Sequence, residues 1–126
     1  EYKRYKKEQL IMAYLKEFSG RSLLIIEDGY IKDFSSRQIK YKISGTNVQD
    51  FYGRTLYRLE NDSVKDFSGR ILLKIDYDSV REFSGRTIAK YDNNYIKEFS
   101  GRIIYKLEGF LSRREMMALL AILFAC

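Results

Sequence analysis

The sequence predicts a mainly β fold, with tandem hairpins of about sixteen residues curled into a compact closed or barrel-like array and an apolar C-terminal α-helix packed on it. Three observations carry this. A phrase built on F[SY]GR recurs at Phe18, Phe34, Phe51, Phe67, Phe83 and Phe99, with spacings of 16, 17, 16, 16 and 16 residues. A period of that length holds two short strands and two tight connections, whereas a helix pair or a crossover unit needs roughly thirty residues. The second strand of each unit, as in RILLKI from Arg70, carries Leu72 on one face and Leu73 and Ile75 on the other. A layer apolar on both faces is not half-solvated. Hairpins closed on themselves, or strands bulged to turn a corner, bury both faces and leave no free edge.

The elements follow in order along a single domain spanning 1–126. Residues 1–13 form a basic N-terminal segment expected to be helical, and the first strand is expected from Tyr14. The six hairpin repeats fill 14–109. Their first strands read VKDF or IKEF and their second strands RILLKI or RIIYKL, with the β-branched and aromatic residues that suit a pleated sheet. Between them Ser-Gly supplies a tight turn, glycine tolerating the positive φ such turns need. Ser36 stands where the other copies have glycine, and the extra residue of that copy is expected within YKISGTN.

The segment 110–126 changes period. Ser112 followed by Glu115 is a capping box, which predicts a helix from Arg113 to Phe124. Met116, Leu119, Leu120 and Leu123 form a stripe, and Met117, Ile122 and Phe124 extend it round the axis until hardly any polar face remains. An apolar run from Met116 to Cys126 is far short of the roughly twenty residues that span a bilayer. The leading expectation is a plug across the open end of the array; a helix-to-helix dimer contact and shallow membrane insertion are the alternatives.

Composition narrows the chemistry. At 126 residues, 45% hydrophobic and 32% charged, the chain is that of a folded domain, yet it has no His, Pro or Trp and a single Cys, Cys126. Without histidine there is no Ser/His/Asp relay or His-based metal site. One terminal cysteine makes neither an internal disulfide nor a thiolate cluster. The acids are distributed by the repeat, so no catalytic pair stands out. No catalytic residue, cofactor or metal is expected, and the protein reads as not an enzyme. The charged start lacks a sustained apolar core, so no signal peptide is expected and a cytoplasmic setting is favoured.

The net charge of +6 sits partly at the ends, in Lys3, Arg4, Lys6 and Lys7 and in Arg113 and Arg114. The repeats are nearly balanced, which favours a solvated mixed-charge surface over a phosphate groove. Within them Asp33, Asp50, Asp66, Glu82 and Glu98 precede the phenylalanine and an arginine follows it. Pairing across the turn is the structural explanation. The functional alternative is a ring of Arg21, Arg37, Arg54, Arg70, Arg86 and Arg102 facing an anionic ligand.

IKEFSGRIIYKLEG and VKDFSGRILLKIDYDS resemble the four-fold β-flower proteins of bacteria, small domains in which short hairpins repeat around an axis. The similarity covers roughly Tyr14 to Gly109. It implies a shape and little about activity. A lesser similarity is to the YD-type repeats of bacterial secreted toxins, which are longer and richer in Tyr-Asp.

Equal units present equal surfaces, so the leading expectation is a non-catalytic structural or interaction module whose partner is a protein, a glycan or another copy of itself. Of the eleven tyrosines, Tyr41, Tyr57, Tyr91 and Tyr105 are expected to be core or half-buried. The alternative is a nucleic-acid binder in which Lys65, Arg81 and Lys97 line one face and exposed aromatic rings stack on bases.

Overall fold

The computed structural model describes residues 12–125. The helical expectation for 1–13 therefore lies almost wholly outside the described residues, and at its end Ala13 already opens the first strand.

Twelve strands follow: β1 (Ala13–Glu17), β2 (Ser22–Glu27), β3 (Tyr30–Asp33), β4 (Ile39–Ser44), β5 (Asn47–Asp50), β6 (Thr55–Glu60), β7 (Ser63–Lys65), β8 (Ile71–Ile75), β9 (Ser79–Glu82), β10 (Thr87–Tyr91), β11 (Tyr95–Glu98) and β12 (Ile103–Gly109). Each pairs antiparallel with its sequence neighbours, and β1 pairs with β12 from Ala13↔Gly109 to Glu17↔Tyr105, closing the barrel. The array is thus a closed up-and-down barrel of six hairpins, as the repeat and its two-faced strands predict. One end carries the six turns between the strands of each hairpin. The other carries the links between hairpins.

Alternation sets the two faces. Ile31, Val48, Val64, Val80 and Ile96, at one equivalent position of β3, β5, β7, β9 and β11, are fully buried, while the residues on either side point outward. The second strand of every hairpin carries a register shift. Val64 faces Leu73 and Lys65 faces Ile71, leaving Leu72 as the extra residue; Leu23, Lys40, Leu56, Ile88 and Ile104 hold the same place in the other copies. The bulge explains the two-faced pattern. Leu23, Leu72 and Ile88 pack against the core beside the inward residues that follow them, so the sequence-based assignment of Leu72 to the opposite face is corrected.

The helix α1 (Arg113–Phe124) starts with the predicted capping box: Ser112 Oγ accepts from the Glu115 N–H and the Glu115 carboxylate accepts from the Ser112 N–H. Met116 to Ala121 are six consecutive residues, which cover the whole circumference of a helix, and none is more than 6% exposed. They share one cluster with the inward side chains of the strands. The helix is therefore encircled by the wall and runs along the barrel, not across its open end as expected. Met116, Leu119 and Leu120 are core and present no outward dimer face; Leu123 is half-buried. Arg113 fixes the direction, since it donates to the Ile75 carbonyl at 2.8 Å and the Tyr91 hydroxyl at 2.5 Å and pairs with Asp62 at 3.3 Å, all at the link end. The helix points from there towards the turns. Tyr91 is buried, and Tyr41, Tyr57 and Tyr105 pack partly buried against the same core, as expected.

No helix among the described residues is long and apolar enough to cross a membrane. The barrel wall is also the inverse of a transmembrane one, with apolar residues inside, Lys, Arg and Glu outside, and strands of three to seven residues where a membrane strand needs about 9–11.

Candidate functional site: the turn rim and the basic wall

Each regular turn is a three-residue connection. In the fourth copy the Gly69 N–H donates to the Asp66 carbonyl at 3.0 Å and the Asp66 N–H to the Arg70 carbonyl at 2.9 Å, with Gly69 at φ +96°. This matches a tight turn closed by one left-handed residue. The acid organises the turn: Asp66 Oδ1 accepts from the Ser68 N–H and hydroxyl and from the Arg70 N–H. The arginine folds back onto the same carboxylate, at 3.1 Å for Arg21–Glu17, 2.8 Å for Arg54–Asp50, 3.4 Å for Arg70–Asp66, 3.1 Å for Arg86–Glu82 and 3.2 Å for Arg102–Glu98.

These contacts hold carboxyls below their ordinary range. For Glu17, Asp66 and Glu82 the serine hydroxyl two residues on is the main cause. For Asp50, desolvation opposes the shift, but the backbone N–H and guanidinium of Arg54 outweigh it. The ion pairs are exposed and individually weak, so their role is to fix the turn rather than to stabilise the barrel.

The second copy departs from this pattern. Its Arg37, not a glycine, takes the positive φ, at +64°, and the Asp33 N–H donates to the carbonyl of Gln38. The turn is thus one residue longer. From Gln38 to Asp50 the spacing equals that from Arg54 to Asp66, so the extra residue lies in FSSRQ and not in YKISGTN as expected. Arg37 leaves the acid and stacks over the Phe34 ring at 4.8 Å, while Asp33 accepts from the Ser36 N–H and both serine hydroxyls and is lowered to about 2. A cleft of about 1100 Å³ opens beside this turn, between it and the third, lined among others by Arg37, Gln38, Tyr41, Phe51 and Tyr52.

The phenylalanines are the feature that the sequence reading misplaced. It put them in the first strands; they sit in the turns, outside the sheet. Phe18, Phe51, Phe67, Phe83 and Phe99 are 63–72% exposed and Tyr52 is 81% exposed, whereas Phe34 is partly covered by Tyr14 at 6.2 Å. The five paired arginines beside them are 73–77% exposed. A ring of aromatic tips and guanidinium groups therefore crowns one end of the barrel. The signal was available in the sequence: a phenylalanine directly before Ser-Gly cannot extend a strand that the turn has already ended.

Below the rim, the outward face repeats a cation on strand after strand. Lys106 is directly opposite Lys16, Arg58 opposite Lys65, Lys74 opposite Arg81, and Lys90 opposite Lys97. Like charges directly opposed cost a sheet stability. Three are offset by acids nearer the links, in Lys16–Glu108 at 2.5 Å, Lys65–Glu60 at 3.3 Å and Arg81–Asp76 at 2.7 Å. Lys74 and Lys90 are exposed and make no ion pair among the described residues. Lys65, Arg81 and Lys97 do share one face, and the structure adds a cation facing each of them.

Charge is consequently sorted along the axis. Among the described residues, rim and wall together carry seventeen Lys and Arg against six acids, all six within the turns. The link end carries nine acids, including Asp28, Asp62, Asp76, Asp78 and Asp92, against Arg113 and Arg114. The near balance seen along the sequence conceals this separation. No group of three metal-ligating side chains comes together among the described residues. Compared with known proteins, the chain matches no family model, no curated protein and no solved structure.

Proposed function

We propose that the protein is a non-catalytic interaction module whose working surface is the rim of six turns. One observation carries the reading: five phenylalanines at equivalent positions on one rim are held mostly in solvent by turns whose hydrogen bonds and Arg–acid pairs are spent on keeping that shape. An exposed apolar ring edged by charge is a contact surface, since isolated domains bury such groups where they can. The resemblance to the β-flower proteins supplies a shape and no activity, and the acids serve the turns one by one, which favours display over catalysis.

The test is photo-crosslinking. Benzoylphenylalanine at Phe83 should yield adducts in cells that make the protein, whereas the same residue at Tyr77, on the link end, should yield few. Equal yields at both ends would remove the rim as the working surface.

The basic wall favours a second reading, a binder of single-stranded nucleic acid using Arg58, Lys65, Lys74, Arg81, Lys90 and Lys97. Its test is anisotropy of labelled DNA and RNA, with affinity expected to fall steeply as salt rises. Salt-insensitive or absent binding removes it.

A further inference from the structure

We propose that the rim docks end-on against an anionic phospholipid bilayer, with the phenylalanine tips in the headgroup layer and the cations of rim and wall against the lipid phosphates. This rests on the rim being the working surface and names its partner.

Three observations single out a membrane. The first is symmetry. Six near-equivalent turns in a closed ring offer the same groups in every direction around the barrel axis. A partner that engages them all must be flat and laterally uniform; a bilayer surface is both. A folded protein presents a different surface to each turn, and a single nucleic-acid strand laid along the wall touches one side of a cylinder and leaves the opposite turns idle.

The second is the pairing of two signals at one end. One weak anchor gives marginal membrane binding, and stable binding takes an apolar insertion together with a basic patch. Here Phe18, Phe51, Phe67, Phe83 and Phe99 supply the first, with Tyr52 suited to the headgroup level. The second comes from Lys16, Lys32, Lys65, Arg81 and Lys97, each directly before a turn acid, because the turn arginines are matched by the turn acids. Five of those arginines use part of their fork on their own carboxylate and keep further donors for phosphate oxygens.

The third is the charge axis. The rim carries as many arginines as acids, the wall directly behind it carries cations and no acid, and the links carry the excess of acid. An anionic surface therefore attracts the rim half of the barrel and repels the far end, which orients the barrel before contact. Rim-to-rim pairing of two copies brings together the cations behind both rims and lacks this complementarity.

The chain has no tryptophan, so a single introduced indole is a clean probe. Phe83→Trp and, at the link end, Tyr77→Trp are each mixed with phosphatidylcholine vesicles and with vesicles of about 3:1 phosphatidylcholine to phosphatidylserine, with and without brominated acyl chains. The expected result is binding to the serine-containing vesicles alone, weakened by salt, with the indole at position 83 blue-shifted and quenched by bromine and that at 77 unaffected. Lys97→Gln removes a cation directly behind the rim that holds no ion pair among the described residues, and it should weaken binding about fivefold. Equal quenching at both positions, equal binding to neutral vesicles, or no vesicle binding overturns the proposal. Protein or nucleic-acid adducts from the rim crosslinker without vesicle binding overturn the lipid partner and leave the rim as the working surface. Absence of rim-specific adducts together with absence of vesicle binding overturns both.

Discussion

Arg113 donates a hydrogen bond to the hydroxyl of Tyr91 at 2.5 Å, and that hydroxyl donates onward to the Asp76 carbonyl at 2.5 Å, so one relay fastens the start of the helix to two neighbouring links. An arginine at the first helical position opposes the helix dipole. Its bonds to Tyr91, to the Ile75 carbonyl and to Asp62 offset that cost. Burial pushes the Tyr91 phenol up in pKa, against the opposing pull of Arg113, and the group stays neutral and able to donate. Tyr91→Phe and Arg113→Ala should each cost about 1–3 kcal/mol, because a partly buried partner is left unpaired. Since the two share one bond, the double variant should fall short of the sum by about 0.5–3 kcal/mol in urea unfolding. Strict additivity would mean that the relay carries no coupling.

The encircled helix predicts a second effect. Met117 and Leu119, two residues apart and so on nearly opposite sides of the helix, are both buried in the core. Met117→Ala and Leu119→Ala should each lower stability by about 2–5 kcal/mol, the range for a core methionine or leucine whose surroundings close only partly over the space left. Were the helix laid across one end, one of the two would face solvent and cost little. Thermal unfolding of the pair separates the two arrangements.

Much of this was legible beforehand, and the failures share a cause. The sixteen-residue period, the capping box at Ser112 and the two-faced strands led to hairpins, closure and helix bounds that the structure bears out. The helix position was missed because an all-apolar surface says that a helix is buried, not what surrounds it; the width of a twelve-stranded barrel decides that. The exposure of the phenylalanines was missed because aromatic residues usually favour strands. The charge axis was invisible to counting, since Lys74 and Asp76 are near neighbours in the chain and part company only when one faces out from the wall and the other sits at a link.

The turns make a third prediction. The regular turn glycines of the first, fourth, fifth and sixth copies have φ of +96° to +99°, beyond the left-handed region that other residues tolerate, whereas Arg37 at +64° lies within it. The added residue of the second turn relaxes the backbone enough for a side chain to be accepted. Space is not limiting at Gly85, where a Cβ would meet nothing within 4 Å. Gly85→Ala should therefore destabilise through backbone strain alone, by about 1–2 kcal/mol. Arg37→Gly should change stability by less than about 1 kcal/mol, relief of mild strain being set against loss of the stack on Phe34. Equal costs at the two sites would refute the distinction.

Asp33 gives the pH dependence. Its carboxylate is lowered from 3.8 to about 2 chiefly by the Ser36 N–H, then by the hydroxyls of Ser35 and Ser36, which bond the ionised form in the folded state. An acid depressed on folding contributes stability above its unfolded pKa and loses it as pH falls through the folded one. The contribution is therefore complete above about pH 4 and is lost towards about pH 2, and Glu17, Asp50, Asp66 and Glu82, lowered by their own turns, act with the same sign. Asp33→Asn keeps an acceptor but no longer titrates. Urea midpoints followed through this acid window should fall less steeply for the variant than for the parent, and the two curves should run parallel at neutral pH. An unchanged acid slope would mean that the three contacts to Asp33 do not persist in solution.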